Sequence, residues 1–124
     1  MAKINTFRDL IVYKTAFETA TEIFNITKKF PAEEKYSLTD QIRRSSRSVC
    51  SNIAESWRKR KYKAMFIAKL LDSSQEAAET QSWLDFALQC GYFEKETVDS
   101  LDNKYEQIFA MLSTMERKAN SFCD

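Results

Sequence analysis

Residues 101–119 read LDNKYEQIFAMLSTMERKA, and this stretch decides the fold. Leu101, Tyr105, Ile108, Leu112, Met115 and Ala119 follow one another at intervals of 4, 3, 4, 3 and 4. That spacing lines six apolar side chains along one face of an α-helix, which is expected from about Lys95 to Ala119. Upstream, Phe66, Leu70, Ser73, Ala77, Thr80, Leu84 and Ala87 repeat the pattern and place a longer helix over about Tyr62 to Cys90. Gly91, the sole glycine, stands where a left-handed C-terminal cap needs one. A second helix starts near Leu38 or Thr39 and runs past Ala54, with Leu38, Ile42, Ser46, Val49 and Ile53 as its stripe. No glycine stops it before Trp57, so Ser56–Lys61 is the expected connection. The first helix is expected from Arg8 to Lys29, on a stripe of Leu10, Tyr13, Phe17, Ala20 and Phe24. Thr6 with Asp9 resembles a capping box at its start, and Phe30-Pro31 ends it.

The composition agrees. In 124 residues there is one glycine and one proline, too few to punctuate a sheet protein. Apolar residues at 44% and charged residues at 30% describe a globular chain, and the length suits one domain over residues 1–124. Four helices with short connections imply an all-α, antiparallel up-down-up-down four-helix bundle with shallow left-handed crossings. Helices of this length span about 30–44 Å at 1.5 Å per residue, an elongated rod. Ile11, Ile23, Ile67, Leu71, Trp83, Phe86 and Phe109 fall outside the inner seam. They either widen the core faces or form a lateral surface that another subunit covers.

No apolar stretch approaches the ~20 residues of a membrane span, and the first twenty residues lack a signal-peptide core. A cytoplasmic location follows as an expectation. Cys50, Cys90 and Cys123 are odd in number and widely spaced. Cys50 and Cys90 read as small hydrophobes in or near the core, and Cys123 as an exposed thiol.

The net charge of +1 conceals a segregation. Residues 43–69 carry Arg43, Arg44, Arg47, Arg58, Lys59, Arg60, Lys61, Lys63 and Lys69 against the single acid Glu55. Residues 72–124 carry four basic and eleven acidic side chains. The run Trp57-Arg58-Lys59-Arg60-Lys61-Tyr62-Lys63 mixes cations with two aromatics. Phosphates reward such cations through counterion release, and bases stack on exposed rings. The alternative is a solvated loop whose charges pair with the acidic helices. Gln41, Ser45, Ser48, Asn52 and Glu55 form a polar stripe beside the apolar one on helix two. An unpaired polar group on a packed seam costs about 1–3 kcal/mol, so the stripe reads as a satisfied interhelical or intersubunit network fixing register, with a ligand site as the alternative.

Catalytic machinery is missing. The chain has no histidine, which removes the commonest general base and metal ligand. It has no Walker loop and no glycine-rich dinucleotide loop. No catalytic residue, metal site or cofactor is expected, and the protein is read as a non-enzyme.

The stretch Leu38-Thr39-Asp40-Gln41-Ile42-Arg43-Arg44, followed by Ser48-Val49-Cys50-Ser51-Asn52-Ile53-Ala54-Glu55, resembles one family. It is similar to the S23 proteins, four-helix bundles often encoded in intervening sequences of bacterial 23S rRNA genes. Phe7-Arg8-Asp9-Leu10 with Val12-Tyr13, the Phe30-Pro31 break, Glu79-Thr80-Gln81 and Gly91-Tyr92 match in order. The resemblance implies a ring-shaped homopentamer. It also implies similarity to accessory proteins of diversity-generating retroelements, which bind nucleic acid and partner with a reverse transcriptase. The matched polar positions are Gln41, Arg43, Arg44, Ser48, Asn52 and Glu55. The chain departs from the pattern at Ser56, where the family usually has glycine, at Cys50, often proline, and at Ala77, often glutamate. Ser56 lets helix two continue.

The sequence thus points to an oligomeric bundle that binds RNA or DNA through Arg43, Arg44, Arg47, Arg58, Lys59, Arg60, Lys61 and Lys63, with Gln41, Ser48, Asn52 and Glu55 as the polar network. The competing expectation is a structural adapter that docks a protein partner such as a reverse transcriptase.

Overall fold

The computed structural model describes residues 3–123. Four long helices, α1 (Ile11–Ile26), α2 (Leu38–Arg58), α3 (Lys63–Gln89) and α4 (Lys95–Arg117), are followed by a short α5 (Ala119–Phe122). No strand occurs among the described residues. Side-chain pairs fix the topology. Ser45 meets Thr80 while Glu55 meets Lys69, so α2 and α3 run antiparallel. Arg43 reaches Thr27, Gln81 reaches Glu106, and Lys104 reaches Glu22, which close the remaining neighbours into a four-helix bundle.

The most extensive helix pairing is α2 with α3, and small residues make it possible. Ser45, Ser46 and Val49 on α2 are wholly buried, as are Ser73, Ala77 and Thr80 on α3. The Ser73 hydroxyl donates to the Val49 carbonyl at 2.8 Å, and the Thr80 hydroxyl lies 2.8 Å from Ser45 Oγ. Backbones that approach over such short side chains leave polar atoms buried, and these bonds satisfy them. Every residue of the α3 stripe is buried, and so is every residue of the α4 stripe, including the wholly enclosed Tyr105. Ser56 lies inside α2, its hydroxyl donating to Ile53 O at 2.6 Å, and the helix continues to Arg58.

The connections are tied down by specific residues. Gly91 has φ +78° and no neighbour within 4 Å of where a Cβ would sit, so backbone conformation alone demands glycine there. Tyr92 N–H donates to Ala87 O and Gly91 N–H to Leu88 O, the double bond of a Schellman cap. Phe30 packs its ring against Tyr92 and Phe93 and thereby joins the α1–α2 connection to the α3–α4 connection. Glu34 holds this end together: its carboxylate accepts from Ser37 Oγ, Leu38 N–H and Tyr92 Oη. Those donors hold its pKa below the usual range, Ser37 foremost, while the same carboxylate pushes Tyr92 up to about 12.

The first helix departs from expectation in both start and face. The Thr6–Asp9 capping box forms, but it caps a single 3-10 turn, Phe7–Asp9. Leu10 then adopts an extended conformation, and α1 begins at Ile11. Its buried face is Val12, Ala16, Thr19, Ala20 and Ile23; of the expected stripe Leu10 and Ala20 are buried, and the three aromatics are not. Phe17 is 54% exposed, and Tyr13 and Phe24 are half-buried. Two apolar stripes compete on this helix, and the one with small residues wins because it allows α1 to sit close to its neighbours. Ile23 therefore belongs to the core rather than to a lateral surface. Cys90, expected in or near the core, is exposed beyond the end of α3, and Cys123 is half-buried.

Two substitutions test the central packing. Ala77→Leu forces a larger side chain into the α2–α3 seam and is expected to lower stability by about 1–3 kcal/mol in urea unfolding. Tyr105→Phe deletes a buried hydroxyl that lies near Thr80 but makes no hydrogen bond among the described residues, and is expected to leave stability unchanged or raise it by up to about 1 kcal/mol.

Candidate nucleic-acid interface

The basic run lies at one end of the bundle, where the chain turns from α2 into α3. Lys59 N–H donates to Ser56 O and Tyr62 N–H to Lys59 O, which makes residues 59–62 a tight turn. Arg60 folds back: its Nε donates to Trp57 O at 2.8 Å, and its guanidinium carbon lies 3.6 Å from the Trp57 ring centroid. Trp57 itself is 7% exposed and belongs to the core, so it is not the free ring that the run suggested. An indole has too much apolar surface to leave in water when the bundle end can cover it. Arg58, Lys61 and Lys63 are exposed around it, and Tyr62 is the ring that faces solvent, at 56% exposure. None of these cations ion-pairs among the described residues. The first amide groups of α3 have no side-chain cap and open on the same turn.

The other three arginines stand apart. Arg47 precedes Arg58 by eleven residues, about 16 Å along the helix. Arg43 is a structural tie: its guanidinium donates to Thr27 Oγ1 at 2.9 Å and Phe24 O at 3.3 Å, and covers the Phe24 ring at 4.6 Å. Arg47, one turn further along α2, lies 5.4 Å from the centroid of the same ring. Arg44 is exposed towards α3, and its charge acts on Glu76. The eight sequence-derived cations therefore form three groups rather than one patch.

Tertiary structure adds cations that the run did not contain. In an antiparallel bundle the start of α1 and the end of α4 share the end occupied by the α2–α3 turn. Contacts of the Phe7–Asp9 turn with α2, and of α5 with α3, place them there, and Phe66 stacks on Phe122. Lys3, Arg8, Lys14, Arg117 and Lys118 thus join Arg58, Lys59, Arg60, Lys61 and Lys63 at one pole. The topology was the signal that could have found them.

The polar stripe does not join into one network. Asn52 Nδ2 donates to Ser48 O within the helix, Glu55 pairs with Lys69 at 2.9 Å, and Gln41 lines a separate depression with Trp83 and Phe86. Gln41, Ser48, Asn52 and Glu55 lie at the edge of the face turned to α3, whose buried polar centre is Ser45, Ser73 and Thr80.

Acidic groups concentrate on α3 and α4. Asp102 is pushed above the ordinary carboxylate range by burial and by the charges of Asp85, Asp99 and Glu106. Glu76 is raised too, chiefly by burial and by Glu79, with Arg44 opposing. No group of three or more His, Cys, Asp or Glu side chains is placed to hold a metal ion among the described residues. Burial pushes the Cys50 thiol up to about 11, the opposite of an activated nucleophile. No helix among the described residues is long and apolar enough to cross a membrane.

A family profile described as 23S rRNA-intervening sequence protein matches residues 8–114. The chain is also similar to a crystal structure of a protein of unknown function from the S23 ribosomal protein family of Bacteroides thetaiotaomicron VPI-5482. The two are 30% identical, cover 86% of this chain and 96% of that chain, and superpose with a TM-score of 0.77. No curated protein matches the sequence.

The different duties of these charges are separable by stability. Arg43→Ala is expected to cost about 1–2 kcal/mol, and Lys61→Ala less than about 0.5 kcal/mol, by thermal or urea unfolding. Asp102→Asn is expected to stabilise the protein at pH 7. The folded carboxyl is raised, so its ionisation penalises the fold above that pKa and vanishes as acid protonates it. The gain should therefore shrink towards pH 3 in a series of unfolding curves.

Proposed function

The chain belongs to the 23S rRNA-intervening sequence protein family, and from that premise we propose that it is a non-catalytic, oligomeric bundle that binds RNA, or another nucleic acid, through its basic pole. The observation that carries this reading is the gathering of Arg58, Lys59, Arg60, Lys61 and Lys63 at one end of the bundle, without carboxylate partners among the described residues. Cations left unpaired in water are available to phosphates, and each phosphate neutralised releases counterions. Phosphate contacts carry no base information, so the binding is largely independent of sequence. Tyr62 offers a solvent-facing ring beside Lys61, whose Nζ lies 5.8 Å from the ring centroid. Assembly into a homo-oligomer, a pentamer by resemblance to the family, brings several such poles together and multiplies weak contacts into avidity. The cytoplasm is the location that this reading assumes.

A second reading has one observation in its favour. A groove of about 590 Å³ between α1 and α4, lined by Ile4, Ile11, Met111 and Phe122, exposes apolar surface suited to a protein partner. A structural adapter that docks such a partner, a reverse transcriptase among them, would use it.

Affinity for a structured rRNA fragment and for a single strand is expected to fall about linearly on a log–log plot as salt rises. Combined Arg58→Glu and Lys61→Glu should abolish most binding at low salt and flatten that slope. Binding indifferent to salt, or to this charge reversal, refutes the nucleic-acid reading. A stable protein partner recovered without nucleic acid would favour the adapter.

A further inference from the structure

We propose that copies of this chain join through two different faces, the outward stripe of α3 on one copy docking into the α1–α2 groove of the next. The inference rests on the oligomeric reading above and supplies the contact it leaves open.

The first face comes from α3, whose outward side carries a stripe free of charge as well. Its inner stripe fills the core. Opposite lies a second stripe of Ala68, Leu71, Gln75, Ala78, Ser82 and Phe86, at intervals of 3, 4, 3, 4 and 4. All six are exposed, Leu71 at 49% and Phe86 at 54%, and none carries charge. These intervals place the six on one helix face, and a face without charge that exposes Leu71 and Phe86 suits a partner surface better than water. Asp72, Glu79 and Asp85 border this stripe, so its surroundings are negative.

The second face is the groove between α1 and α2, a depression of about 570 Å³. Tyr13, Phe17 and Phe24 form one wall, and Cys50 and Ala54 the other. Cations border it: Arg47 and Lys28 lie against Phe24, and Arg8 against Phe7. Glu18 lines a smaller adjoining depression with Arg8 and Lys14, which shares Tyr13 and Phe17 with the groove and is itself net positive.

The two faces match in charge, shape and length. An acid-bordered convex stripe meets a cation-bordered concave groove. At about 1.5 Å per residue, Leu71 to Phe86 extends about 22 Å and Tyr13 to Phe24 about 17 Å. Either face against itself would oppose like charges, which costs several kcal/mol. The contact is therefore head-to-tail, the kind that repeats into a closed ring. Phe17 and Phe86, two large aromatics left in water by the isolated chain, are both covered by it.

Sedimentation of two charge-reversed variants tests the pairing. Glu79→Lys with Asp85→Lys makes both faces of a copy positive. Lys28→Glu with Arg47→Glu makes both negative. Each variant alone is expected to weaken self-association about tenfold or more, and an equimolar mixture to restore association in alternating chains or even-numbered rings, since unlike faces then alternate and an odd ring cannot. A third variant, Ala78→Trp, blocks the stripe by bulk without altering charge and should also dissociate the assembly. All sites are exposed, and circular dichroism verifies the helices. Wild-type protein that remains a 14.5 kDa monomer at high concentration overturns this proposal together with the oligomeric reading. An oligomer that survives either charge variant, or Ala78→Trp, overturns the pairing alone. So does a mixture of two dissociated variants that fails to reassemble.

Discussion

The close approach of α2 to α3 is the constraint on which the rest of the bundle depends. Serine, threonine and alanine line the contact, and Ser45, Ser73, Ala77 and Thr80 are at most 1% exposed. Short side chains let two backbones come together, and the hydroxyls then find their acceptors across or along the seam. The large residues Phe66, Leu70, Leu84, Leu101, Tyr105 and Ile108 fill the space that remains between this pair and the other helices. A glutamate at position 77 would bring a carboxylate into this seam, so Ala77 and the closeness of the pair belong together.

That pairing also sets the electrostatics. With α2 and α3 antiparallel and tied by Glu55 and Lys69, the basic connection between them projects at one pole. Four antiparallel helices return the start of α1 and the end of α4 to the same pole, and with them Lys3, Arg8, Arg117 and Lys118. The acids are strung along α3 and α4, where burial, aided by neighbouring carboxylates, raises Asp102 and Glu76. On the two proposals above, polyanions contact the pole and copies of the chain contact one another through the flanks, with Arg8 bordering both.

The buried stripes of helices three and four were legible residue by residue and their ends to within two residues, because the inward positions keep one unbroken run of heptad intervals free of charge. Helix one was not. Tyr13, Phe17 and Phe24 outweigh Val12, Ala16 and Thr19 in hydrophobic bulk, yet the small residues went inward. Bulk measures the reward for burial and says nothing about how near the neighbouring helix stands. Trp57 shows the converse: its neighbours in sequence are cations, and its neighbours in space are the core. The candidate site was legible as a basic run. Its division into a pole, an α1–α2 tie at Arg43 and a flank at Arg44 was not, since that depends on which way each turn of α2 faces.

Local rules, acting through residues near in sequence, account for what the sequence determined by itself. These are the all-helical class, the stripes of α2, α3 and α4, the break at Phe30-Pro31, the left-handed glycine cap at Gly91 and the segregation of charge. Tertiary structure decided which of two apolar faces α1 buries, that Cys90 stays exposed, that Arg43 and Arg60 serve the fold, and which distant cations share a pole. Each of these depends on the distance between helices or on the direction in which the chain returns. Both are set by packing between residues far apart in sequence, where no periodicity reports them.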